Sequence, residues 1–245
     1  HGSVLKIRVA GGICRLQSFT QHQFPSKENM PIVPSLVCAE PGALAIVKRE
    51  VKRQSPDHAL VKPRRIGICG TDYHIFEGKH PFLNYPRVMG HELAVEVIEA
   101  PEDSDFRAGD ICAVNPYLSC GTCKPCAAGK PNCCANISVL GVHQDGGMAG
   151  LLSLPASNLI NGAGLTPDQC ATVEFLAIGA HAVRRGAIAQ DESVLVVGCG
   201  PIGIGTALFA KLQGADVSLY DRDAERVKMT AEILGVTALG ADPDV

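Results

Sequence analysis

The sequence predicts a mixed fold: a β-rich, metal-bearing domain followed by the beginning of a parallel α/β domain. Three observations carry this. Five of the eleven cysteines crowd between Cys120 and Cys134, inside a stretch of short β-branched runs. From about residue 166 the pattern changes to helices alternating with strands. Between the first such strand and the helix after it stands a glycine-rich turn, Gly198-Cys199-Gly200-Pro201-Ile202-Gly203.

Composition sets the bounds. With 46% hydrophobic and 19% charged residues, the 245-residue chain reads as an ordinary soluble globular protein. A net charge of -3, with no charged block, gives no reason to expect a nucleic-acid partner. No apolar run is long enough for a bilayer, and residues 1–33 lack the apolar core of a signal peptide, so a cytoplasmic protein is expected.

Taken in order, His1-Gly2-Ser3 looks like the scar of an expression tag, and residues 4–29 are mildly basic without a period. Residues 1–34 are therefore expected to be an extension, with Met30 near the natural start. Residues 35–185 form the β-rich domain. Its runs Ser35–Glu40, Ala45–Val51, His58–Ile68, Val88–Ile98, Asp110–Val114 and Leu151–Leu154 are separated by Gly, Pro and Asp turns, which suggests a partly open barrel or sandwich. The clustered cysteines should occupy a loop. Thr166-Pro167-Asp168-Gln169 is a capping box with proline at the first helical position, opening one helix to about Arg185. Residues 186–245 then give strand Ser193–Val197, helix Pro201–Gln213, strand Val217–Tyr220 and helix Asp223–Leu234, each helix closed by glycine. Strand–helix–strand–helix begins a parallel sheet. A doubly wound sheet takes about six strands, so with two visible this domain is expected to be incomplete in the chain.

Cys120-x2-Cys123-x2-Cys126-x7-Cys134 offers four thiolates from one short loop. Zinc has no geometric demand from its d electrons, so such a loop can close a tetrahedron of sulfurs around it. With four protein ligands no position stays open, and the site is structural. An iron–sulfur cluster is the competing reading. The bacterial ferredoxin run, however, needs a fourth cysteine three residues on, followed by proline, and neither is present. Cys133 reads as a bystander, although spacing alone leaves it open as the fourth ligand. The scattered Cys14, Cys38, Cys112, Cys170 and Cys199 read as buried thiols.

A second metal site has a different character. Cys69 in Gly67-Ile68-Cys69-Gly70-Thr71-Asp72-Tyr73-His74, with His91 and Glu92 in Gly90-His91-Glu92, supplies a soft thiolate, an imidazole and a carboxylate. Three mixed ligands with a free fourth position describe catalytic zinc, which polarises a bound alcohol oxygen. Glu174 lies on an otherwise apolar helix and needs a partner if buried. Zinc or its water would serve, and so would the helix dipole.

The glycine turn follows a strand and opens a helix, as a pyrophosphate-binding turn must. Asp221, at the end of the second strand, stands where an acidic residue would meet a ribose hydroxyl. Gly198, Gly200, Pro201, Ile202, Gly203 and Asp221 are thus the expected cofactor contacts.

In this order the motifs resemble the medium-chain zinc alcohol dehydrogenase family, over residues 35–245. The resemblance implies a GroES-like catalytic domain followed by a Rossmann domain. It implies that Cys69 and His91 are catalytic zinc ligands, with Glu92 a ligand in the polyol branch. Thr71 and His74 match the family's proton relay, and Glu174 matches the glutamate of sorbitol-type enzymes. Ile202 would pack on the adenosine and Arg226 would lie near the adenine. The segments Tyr85–Glu92, Cys133–Gly147 and His181–Arg185 look like the bacterial sugar-acid branch, that of the L-galactonate and L-gulonate 5-dehydrogenases. Three departures stand out. Val95 replaces a glycine and would crowd the backbone beside the zinc site, Phe175 replaces a proline, and Gly150-Leu151 replaces an acidic–aromatic pair.

The expected function is zinc-dependent hydride transfer from a secondary hydroxyl of a polyol or sugar acid to NAD rather than NADP. One zinc would be catalytic and one structural, in a homo-oligomer, dimer or tetramer. The alternatives are a zinc-stabilised fragment without turnover, and a simple alcohol or threonine-type dehydrogenase.

Overall fold

The computed structural model describes residues 31–81 and 83–239, and the backbone of two short strands, β1 (Lys6–Val9) and β2 (Gly12–Arg15), which pair with each other in antiparallel register. The remainder of the expected extension, up to Met30, lies outside the described residues.

The first half is antiparallel β. β3 (Ile32–Glu40) begins at Ile32 rather than Ser35 and pairs with β4 (Ala43–Glu50) through a tight turn. β5 (His58–Gly67) leads into a short helix, α1 (Gly70–Phe76). The single strand expected over Val88–Ile98 is two, β6 (Arg87–Val88) and β7 (Glu92–Glu99), separated by Met89-Gly90-His91. Gly90 has φ +95°, a left-handed conformation that no strand interior adopts, and this interrupts the run. β8 (Ile111–Val114) and β9 (Tyr117–Leu118) follow.

The cysteine segment is not a plain loop. It contains one helical turn, α2 (Lys124–Ala127), and a 3-10 turn at Pro131–Cys133. Prolines at 125 and 131 start both turns, where a missing N–H costs nothing. β10 (Ser138–Val139) pairs back on β9, and β11 (Leu152–Pro155) and β12 (Leu159–Asn161) complete the strands of this half. A five-stranded sheet runs in the order β11-β5-β7-β8-β12, and a three-stranded one in the order β4-β3-β6.

β7 is buried on both faces, and the period of two explains its composition. Leu93, Val95 and Val97 point into the main core with Ala59, Val61, Val114, Leu140 and Leu154. Ala94, on the other face, packs with Ala113 against Cys170 and Ala171. Val95 therefore fills the main core and is fully buried there, instead of crowding the metal site.

Cys170 and Ala171 belong to α3 (Pro167–Ala171), whose N-cap Thr166 and Gln169 form the expected capping box. The helix does not run unbroken to Arg185. It stops at Thr172, whose hydroxyl bonds the Gln169 carbonyl, and a second helix, α4 (Val173–Gly186), starts at once. α4 joins the two halves: its first residue packs with the α3 cluster and Val183 enters the core of the α/β half.

That second half is parallel. β13 (Ser193–Val197), α5 (Pro201–Leu212), β14 (Asp216–Tyr220) and α6 (Ala224–Leu234) lie as expected, and a third strand, β15 (Thr237–Ala238), adds to the sheet in the order β13-β14-β15. β15 is too short to leave a periodic signal. α4 and α5 cross where Gly179 meets Gly205: a Cβ on Gly179 would stand 2.5 Å from the Gly205 carbonyl carbon. Cys38, Cys112, Cys170 and Cys199 are buried as expected, while Cys14 lies outside the residues whose side chains are described. No helix among the described residues is long and apolar enough to cross a membrane.

Candidate metal and dinucleotide sites

The Cys69, His91 and Glu92 side chains come together, with their ligand atoms all within 4.8 Å of one another. Each comes from the end of an element. Cys69 caps α1, while His91 and Glu92 stand where the β6–β7 break turns into β7. His91 and Glu92 are buried. Glu92 lies against Gly67, where a Cβ would collide with its carboxylate, so glycine at 67 makes room for this acid.

A residue that the sequence reading passed over holds the two pieces in register. Asp72 is buried, and its carboxylate accepts the Cys69 amide at 2.9 Å through one oxygen and the Gly90 amide at 3.2 Å through the other. It thus ties the Cys69 turn to the break that carries His91. The only sequence signal was its place three residues after a helix cap. Glycines pack against the same break. Cβ atoms at Gly141 and Gly146 would lie 2.8 and 2.3 Å from backbone atoms of Gly90, and the Gly146 amide donates to the Val88 carbonyl at 2.7 Å.

The electrostatics suit a cation. Burial pushes the Glu92 carboxyl up, and the negative charges of Glu174 and Asp72 push it further. For His91, burial acts downward, but its contact with Cys69 and the charges of Asp72 and Glu174 outweigh that and raise it. Acidic groups thus converge on one imidazole whose buried Nδ1 has no hydrogen-bond partner. A divalent ion satisfies such a set, and this mixture of thiolate, imidazole and carboxylate is one that zinc takes.

Glu174 is buried near the start of α4 but is not one of the three. Its Oε1 accepts the Tyr117 hydroxyl at 2.7 Å. Thr71 Oγ1 lies 3.8 Å from Cys69 Sγ, and His74 is exposed one turn further along α1. Residues three apart share a helix face, so Thr71, next to Cys69, and the exposed His74 stand on one face of α1.

The second group is Cys120, Cys123, Cys126 and Cys134, again within 4.8 Å, while Cys133 is exposed and outside it. Backbone amides favour thiolates here. Those of Thr122 and Cys123 hold Cys120 down at about 5, and those of Cys126 and Ala135 lower Cys123. Burial and the neighbouring sulfurs push Cys126 up to about 12. Four thiolates cannot all stay ionised this close without a cation, which is what a closed, all-sulfur zinc site provides.

At the glycine turn, Gly198 takes φ +103° and donates to the Tyr220 carbonyl at 2.7 Å. Gly200 caps α5, Pro201 is its first residue, and Ile202 is exposed beside the turn. At Gly203 a Cβ would stand only 1.7 Å from the Gly198 carbonyl oxygen, so glycine alone lets the helix start over the strand end. Asp221 accepts the Cys199 amide at 2.7 Å and the Asp223 amide at 3.0 Å, which holds its carboxyl below the usual carboxylate range. Arg226 stands beside it, 3.7 Å from the Asp223 carboxylate.

Gly203→Ala should therefore shift α5 and spoil the helix N-terminus as an anion site. Affinity for a nicotinamide dinucleotide should fall by about fivefold to about 150-fold, since clashes of this kind cost roughly 1–3 kcal/mol. Calorimetric titration with unchanged affinity would refute that account of the turn.

Comparison with known proteins gives consistent matches. Residues 55–164 match the alcohol dehydrogenase GroES-like domain. The L-galactonate-5-dehydrogenase of Escherichia coli strain K12 is 44% identical over 205 residues, which are 83% of this chain and 60% of that protein. The starvation-sensing protein RspB of the same strain is 40% identical over 81% of the chain and 60% of its own length. Among solved structures, an alcohol dehydrogenase of E. coli CFT073 complexed with NADH superposes with a TM-score of 0.81 at 33% identity, covering 87% of this chain and 64% of that one. The chain thus spans about 60% of the length of the curated relatives it matches.

Proposed function

Because the chain belongs to the zinc-type medium-chain alcohol dehydrogenase family, we propose that it serves as the zinc-dependent, NAD-linked dehydrogenase of a small polyol or sugar acid, oxidising a secondary hydroxyl. The observation that carries this is the three-ligand group of Cys69, His91 and Glu92, which adjoins the Thr71–His74 face of α1. Zinc held there would supply a Lewis acid that lowers the pKa of a substrate hydroxyl toward neutrality. Asp72 keeps Cys69 and His91 in place. Thr71 takes up the hydroxyl proton and hands it outward, and His74, exposed on the same face of α1, releases it to solvent. Glu174 stands by as a buried carboxylate beside the site.

Gly198, Gly200 and Gly203 present the α5 N-terminus, with Pro201 and Ile202, to a pyrophosphate. The fixed charge of Asp221 accepts a ribose hydroxyl and repels a 2′-phosphate, so NAD is the cofactor, with Arg226 on the adenine side. The Cys120, Cys123, Cys126 and Cys134 group holds the structural zinc. Residues 35–185 act as the catalytic domain and 186–245 as the start of the nucleotide domain, in a cytoplasmic homo-oligomer. A sugar-acid substrate is favoured over a simple alcohol by the similarity to an L-galactonate-5-dehydrogenase.

The test is a panel of polyols and aldonates assayed by cofactor absorbance with NAD and with NADP. Turnover of a polyol or aldonate, with a lower KM for NAD, is expected. NAD binding without turnover of any secondary alcohol would contradict the proposal, and a lower KM for NADP would contradict the role of Asp221.

A further inference from the structure

We infer that Tyr117 is a positioning residue of the three-ligand centre: its hydroxyl holds the Glu174 carboxylate outside the Cys69–His91–Glu92 group, so that a second acid does not close the metal's open position. The inference rests on the zinc reading of that group given above.

The geometry is specific. Glu174 is buried, and the Tyr117 hydroxyl, at 2.7 Å from Oε1, is the protein donor it has among the described residues. The two residues are 57 positions apart, so the contact is tertiary. Tyr117 itself is presented on a braced segment. Its amide donates to Asn115 Oδ1 at 3.1 Å. The buried Asn158 amide donates to the carbonyls of Asn115 and Tyr117, at 2.8 and 3.2 Å. Leu140 donates to the Pro116 carbonyl at 3.0 Å, and Tyr117 pairs with Val139 across β9–β10. A side chain meant only to cover surface would not need such a set of backbone ties.

The chemistry explains the need. A metal with a thiolate, an imidazole and one carboxylate is a catalytic arrangement only while a fourth position stays open. A free buried glutamate within reach would compete for that position and would escape the cost of burial by binding. The tyrosine hydroxyl offers the alternative: it satisfies one carboxylate oxygen and fixes the side chain's direction. The outer partner thereby decides what the metal sees, as such partners commonly do.

Tyr117→Phe keeps the ring and removes the tether. The experiment replaces the more labile metal by cobalt, leaves zinc in the four-cysteine group, and records the visible d–d absorption of the chain with Tyr117→Phe, Glu174→Gln and both together. Glu174 released onto the metal raises its coordination, so the Tyr117→Phe band should weaken by about half or more and shift. Glu174→Gln should resemble the parent, and the double variant should return to it, because the released acid is gone. The same order should appear in cobalt retention against a chelator, with Tyr117→Phe holding the ion several-fold longer. A Tyr117→Phe spectrum equal to the parent's overturns the inference. So does a change that persists in the double variant, since a purely structural effect would not need Glu174. Failure of the parent chain to take up cobalt at Cys69 overturns the zinc reading and this inference together, a pattern distinct from the other two.

Discussion

Cys123→Ser is expected to empty the four-cysteine lobe of zinc and to unfold the segment from about residue 119 to 137. The lobe has almost nothing else to hold it. None of its residues joins a hydrophobic cluster, and of its four sulfur residues only Cys134 is buried. Zinc binding there is therefore folding free energy, on the order of 10 kcal/mol for sites of this kind. A serine hydroxyl stays protonated near neutral pH and cannot replace the thiolate. Limited proteolysis should cut the variant within the lobe, and metal analysis should find one zinc fewer than in the parent. The released segment exposes sulfur and backbone, so aggregation should follow at protein concentrations where the parent stays in solution. Retention of the zinc with an uncut lobe would show that three sulfurs suffice and that the group is not a closed structural site.

Cys69→Ser should act in the opposite way. Cys69 lies at the head of α1, outside every hydrophobic cluster, so its loss removes no packing. The Asp72 bond to the backbone amide of residue 69 does not depend on the side chain. Melting temperature should change little. Losing an outer partner of a metal ligand already costs about 10–100-fold, so losing the thiolate itself should cost more than about 100-fold in turnover or metal affinity. Circular dichroism with steady-state kinetics measures both. A variant that melts like the parent and still turns over would remove Cys69 from the reaction.

What the sequence reveals and what it hides divides along a physical line. The lobe cysteines are readable because their spacing is local: one short segment delivers all four sulfurs. The glycine turn is readable because strand, turn and helix are consecutive, and the capping box at Thr166 because its bonds span three residues. Asp72, Tyr117 and Gly146 leave no such mark. Each acts on a residue far away in the chain: Asp72 on the Gly90 amide, Tyr117 on Glu174, and Gly146 by making space beside Gly90. The break of Val88–Ile98 into two strands has the same origin. Gly90-His91-Glu92 is the widest gap in its apolar pattern, and the glycines packed against it and the left-handed Gly90 turn that gap into a break. The split of the helix at Thr172 shows how a local side-chain bond can end a helix that composition would continue. Strands of two or three residues, such as β12 and β15, are fixed by their neighbours rather than by any period of their own.

If Cys69, His91 and Glu92 hold zinc as proposed, the chain carries a second, open zinc site in addition to the closed one. Zinc-edge X-ray absorption with metal counting distinguishes the two. Two zinc ions per chain are expected, one for each ligand group, with a mean of fewer than three sulfurs per metal and a clear contribution from nitrogen or oxygen. Cys69→Ser should reduce the count to one and leave a pure four-sulfur shell. A parent chain holding a single zinc in a four-sulfur shell would contradict the proposal.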